Sequence, residues 1–83
     1  MTNEIKELRK ELDSLDDQIS ELLLKRIETG KKIVKLKKEA GISKDDPNRE
    51  KEILERITAG KSEIAELLKS LYGRIFDWVK NHQ

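Results

Sequence analysis

The chain has 83 residues, enough for one domain, and a chain this short buries little core unless another surface supplies it. Its 18 Lys and Arg nearly balance 17 Asp and Glu, leaving a net charge of +1, so it lacks the one-sided field of a general nucleic-acid or membrane binder. With no cysteine and one histidine, disulfides, thiolate nucleophiles and sulfur-based zinc sites are excluded, and no metal is expected; the context reads as reducing and cytoplasmic, with no membrane-spanning run.

The first segment carries Ile5, Leu8, Leu12, Leu15, Ile19 and Leu22, then Arg26, Thr29, Ile33, Leu36 and Ala40, at alternating steps of three and four. That is a heptad seam. Thr2 or Asn3 can cap its start and Gly41 can stop it, which predicts one helix on the order of 55 Å long. A compact globule of this length has a radius of gyration of only about 12 Å. The rest of the chain cannot cover such a helix, so the seam calls for a second copy of the chain.

A turn, GISKDD, follows at 41–46, and Asp46 with Pro47 opens a second helix carrying Ile53, Leu54 and Ile57 and closing near Ala59-Gly60. Ser62 is expected to cap a third helix. Its stripe is Ile64, Leu67, Leu68, Leu71, Ile75 and Val79, with Tyr72, Phe76 and Trp78 beside it. The fold class is therefore all-α, with one very long and two shorter helices in a single domain over 1–83.

Several polar residues lie on these apolar faces. Lys37 follows Arg26 by eleven residues and points within about 20° of it, with Gly30 and Ile33 between them. Glu50 lies in register with Ile53, Leu54 and Ile57, bordered by Arg49, and Gln83 continues the stripe of Val79. Taken singly, Arg26 reads as readily as a structural residue, register-setting or snorkelling, as a functional one, and KKIVKLKK reads as a solvated face. His82 stands alone and is expected to be exposed. As a set, cations, a carboxylate and an amide on inward faces describe a pocket for a small organic anion, able to stabilise charge developing in a transition state.

The ordered pattern LRKELDSLDDQISELLLKR, Lys37, DPNRE at 46–50 and an aromatic-rich last helix ending in Gln resembles the all-helical chorismate mutase family over essentially the whole chain. The resemblance implies an intertwined homodimer of three-helix chains that rearranges chorismate to prephenate on the way to phenylalanine and tyrosine, without cofactor or metal. It implies that Arg26 grips a substrate carboxylate and that Lys37 contacts a carboxylate and the ether oxygen. Arg9 would reach into the partner's pocket, Asp46 and Glu50 would lie near the ring hydroxyl with Arg49 beside them, and Gln83 would donate to the ether oxygen. Val79 stands where the family often has serine, so one hydroxyl contact is expected to be missing. The chain also stops at Gln83, where relatives continue, and the loop before the third helix looks shorter. An isochorismate pyruvate lyase of the same fold, or a dimeric helical interaction module without an active site, are the alternatives.

Overall fold

The computed structural model describes residues 2–82. Helix α1 spans Asn3–Glu39, α2 spans Pro47–Thr58 and α3 spans Ala65–Asn81, with a short 3-10 turn at Ser62–Ile64 before α3. No other regular element occurs among the described residues.

The helix ends follow from local chemistry. The Thr2 side chain accepts a hydrogen bond from the Ile5 backbone N–H at 3.3 Å, satisfying one donor that the first turn of α1 leaves open. At the other end Gly41 takes φ 70°, a left-handed conformation that favours glycine. Gly41 N–H then donates to the Lys38 carbonyl at 3.2 Å and Ile42 N–H to the Lys37 carbonyl at 2.8 Å, a Schellman closure. Asp46 caps α2 through Arg49 N–H at 3.2 Å with Pro47 next to it, and Gly60, φ 71°, follows its last turn. The start of α3 departs from expectation. Ser62 caps nothing: it opens the 3-10 turn, in which Ile64 N–H donates to the Lys61 carbonyl at 3.1 Å, and α3 begins at Ala65. Backbone i→i+3 bonding does there what a side-chain cap would have done.

Helix α3 is the hub, packing on both α1 and α2. The buried apolar side chains are Val34 of α1, Ile53 of α2, and Phe76 and Val79 of α3. Against these stands a bare half-helix: Ile5, Leu8, Leu12, Leu15, Ile19 and Leu22 are between 42% and 65% exposed. Leu67 and Leu71 of the expected α3 stripe are also exposed. The protomer measures 58 × 26 × 15 Å with a radius of gyration of 16.6 Å, well beyond the compact value of about 12 Å. No helix among the described residues is long and apolar enough to cross a membrane.

Candidate active site

Two of the three faces that position the site belong to α1 and α3. They pack closely at Gly30: a Cβ there would sit 3.1 Å from Val79 Cγ1. The missing side chain thus lets Val79 seat against the α1 backbone, and it fills the space that the sequence suggested as a gap between Arg26 and Lys37. Val79 is accordingly a buried wall rather than a polar contact. Ile33, expected on the same face, points out instead and is half exposed.

One turn before Gly30, the Arg26 guanidinium carbon lies 5.2 Å from the centre of the Tyr72 ring and 5.5 Å from that of Phe76. The two rings meet edge to face at 6.0 Å and 71°. A planar cation on an aromatic pair gains attraction from the ring quadrupoles while its donors stay available at the rim. Arg26 is therefore held by α3, half-buried, which neither a solvated nor a purely register-setting arginine would require.

Two turns beyond Gly30, the Lys37 Nζ sits 3.6 Å from Asp46 Oδ2, with the lysine side chain 23% exposed. Asp46 thus caps α2 with one oxygen and steers Lys37 with the other. One turn into α2, Glu50 turns towards α3, where Lys80 Nζ donates to its Oε2 at 3.2 Å and to Asp45 Oδ1 at 3.2 Å. Lys44 Nζ donates to the Lys80 carbonyl at 3.1 Å, which closes the turn onto the end of α3. Burial pushes the Lys80 amine down, but hydrogen bonds and charge from Glu50 and Asp45 outweigh this and hold it above its ordinary 10.5.

Arg49 points away from this cluster, exposed, with Nη1 3.2 Å from Glu52 Oε1. Arg9 is exposed on the bare half of α1, about 25 Å along the axis from Arg26, and joins nothing in its own protomer's cluster. Gln83 lies outside the described residues. His82 is exposed but not alone: its ring stacks on Trp78 at 4.1 Å, and Lys31 Nζ lies 5.3 Å from the centre of that indole. Among the described residues no group of three or more His, Cys, Asp or Glu side chains is arranged to hold a metal ion.

Lys80 and Asp45 were not singled out in the sequence, although a signal existed for Lys80. It follows Phe76 by four residues and so shares the inward face of α3. An open recess of about 480 Å³ between the ends of α1 and α3 is lined by Val34, Lys38, Ile42, Lys44, Lys80 and Asn81. It gathers Lys80 but not Arg26, Lys37 or Glu50, whose outer side is left open in the single protomer.

Three helices placing an aromatic-backed arginine and a carboxylate-steered lysine on one face define a small all-helical protein with a cationic interhelical site. Residues 8–83 match the model of the family Chorismate mutase type II, and the chain belongs to that family. It is 40% identical over 73 residues to a bifunctional chorismate mutase/prephenate dehydratase of Aquifex aeolicus, covering 88% of this chain and 18% of that protein. It is 37% identical over 57 residues to a chorismate mutase of Methanocaldococcus jannaschii, covering 69% of this chain and 58% of that protein. The matched region is thus less than two thirds of either relative. No solved structure matches the chain significantly.

Proposed function

We propose that residues 1–83 act as one catalytic domain, a chorismate mutase, which converts chorismate to prephenate within an intertwined homodimer. The observation that carries this is the placement of Arg26 and Lys37 on one face of α1, one backed by the Tyr72–Phe76 pair and the other by Asp46. A dicarboxylate spanning the two would meet fixed positive charge at both ends.

The rearrangement breaks the ether C–O bond as a C–C bond forms in the same molecule. No proton need move, and negative charge grows on the ether oxygen. In this reading Lys37 donates to that oxygen: an ammonium has three N–H groups, and the Asp46 carboxylate 3.6 Å away leaves donors over. In this proposal Gln83 supplies a second donor to the same oxygen. Both interactions strengthen as the bond breaks, which is what lowers a barrier. Arg26 grips a carboxylate, Asp46 and Glu50 face the ring hydroxyl, and Val79 provides an apolar wall, while Arg49, turned out to Glu52, takes no part. Holding the enolpyruvyl arm folded over the ring removes part of the entropic barrier.

The dimer supplies what one protomer lacks. Four buried apolar side chains are too few to offset the entropy of ordering this chain, whereas the bare heptad stripe of α1 offers the surface that a second copy would cover. If two long helices pair antiparallel, the early half of one lies beside the later half of the other, and Arg9 enters the partner's site. The test is to follow chorismate with the purified chain and identify the product. Prephenate is expected; no consumption of chorismate, or release of pyruvate and salicylate from isochorismate supplied in a parallel assay with chorismate left unchanged, would overturn the proposal.

A further inference from the structure

We propose that Lys80 is a positioning residue for Glu50, fixing the carboxylate that faces the substrate's ring hydroxyl and offsetting acidic charge that would otherwise repel an anionic substrate. This rests on the chorismate mutase reading above.

The geometry is specific. Lys80 reaches from the last turns of α3 to two acids in different segments, Asp45 in the turn and Glu50 in α2, both at 3.2 Å. Its side chain is only 18% exposed and that of Glu50 30%, so the Lys80–Glu50 pair is shielded from water, unlike the exposed pairs Lys10–Glu7 and Arg49–Glu52, while Asp45 meets Lys80 from the solvent side. Lys80 takes Oε2 of Glu50, which leaves Oε1 as the oxygen to accept a hydrogen bond from the hydroxyl. Asp45, Asp46 and Glu50 together put three negative charges at one edge of the site, and Lys37 is paired with only one of them. Without Lys80, a dianion would approach two uncompensated carboxylates, one of them free to rotate.

A group that acts on substrate through Glu50 alters binding of the ground state and the transition state alike, so its loss raises KM more than it lowers kcat. For Lys80→Met, an unbranched side chain without charge, KM is expected to rise about tenfold, the scale of one charge-assisted hydrogen bond, with kcat within about threefold of the parent. Lys80→Arg restores most of the loss. In a Glu50→Gln background, Lys80→Met adds little further, because the group it positions is already altered. A purely structural role would lower the active fraction, and hence kcat, at constant KM. The proposal is overturned if Lys80→Met keeps the parent KM, or if its effect and that of Glu50→Gln multiply independently. Should Lys80→Met lose its helical circular dichroism, Lys80→Gln, which keeps a donor without the charge, is measured by the same criteria. An inactive parent chain would overturn the parent reading itself, an outcome distinct from an active parent with an indifferent Lys80.

Discussion

Arg26 and Lys37 share a face of α1 but are held in different ways, and the difference shapes what each substitution should do. Arg26→Ala removes a cation from an aromatic platform and Lys37→Ala the donor proposed for the ether oxygen; each is expected to lower kcat/KM by about 10² to 10³, by analogy with a lost oxyanion donor, while circular dichroism still reports a helical protein. Retention of activity within tenfold in either would remove that residue from the site. Gly30→Ala poses a sharper question. Alanine is better than glycine in a helix by about 1 kcal/mol, but its Cβ would meet Val79 at 3.1 Å, and a buried β-branched side chain in a helix has little freedom to step aside. A lower melting temperature is expected for Gly30→Ala, and recovery when Val79→Ala is added. Lys80 contributes a pH dependence whose sign follows from its raised folded pKa. Its stabilisation is complete below the ordinary 10.5 and is lost as pH rises through the higher folded value. The melting-temperature difference between the parent and Lys80→Met should therefore hold steady from neutral pH and shrink only above 10.5. Arg26 and Glu50 stand out in the sequence because each lies on an apolar register, and Lys37 because it points the same way as Arg26. Lys80 was harder to see, since a lysine after Val79 reads as a solvated helix end until α2 and the preceding turn are known to face it.

At the scale of elements, the sequence was most informative where a helix end is governed by one or two residues. Thr2, Gly41, the Asp46-Pro47 pair and Gly60 each solve a local hydrogen-bonding or φ problem, and each sits where that chemistry placed it. The start of α3 was misread because Ser62 carries the right side chain, yet the backbone closes on itself first. Register was less legible than existence. Heptad counting puts Arg26 and Leu22 on one seam, but α1 meets α3 through Arg26, Gly30 and Val34, while the apolar seam residues from Ile5 to Leu22 remain outside. A periodic stripe records which residues share a face, and it is silent on which of two partners that face meets. Asp46→Ala tests the coupling of element to site: loss of the cap should cost about 1 kcal/mol of stability, and Lys37 loses its carboxylate partner at the same time. Chemical denaturation and KM are both expected to move, whereas Thr58→Ala, at the other end of α2, should change stability alone.

For the whole molecule, the bare early half of α1 is the dominant fact, and the proposed dimer predicts that stability and activity depend on association. A charge placed on that stripe, as in Leu12→Lys or Leu15→Lys, should dissociate the dimer, lower the melting temperature at micromolar concentration and abolish activity, although neither residue lies near Arg26 or Lys37. Sedimentation and activity measured on the same samples would check this, and an active monomer would refute it. The most direct test mixes two inactive variants. Arg9→Ala and Arg26→Ala each spoil every site of their own homodimer, but after unfolding and refolding together, a mixed dimer contains one site with both arginines intact. Prephenate formation should return to about a quarter of the parent rate if protomers pair at random in a two-fold assembly. A mixture as inactive as its components, with subunit exchange verified, would contradict a site completed by a second chain.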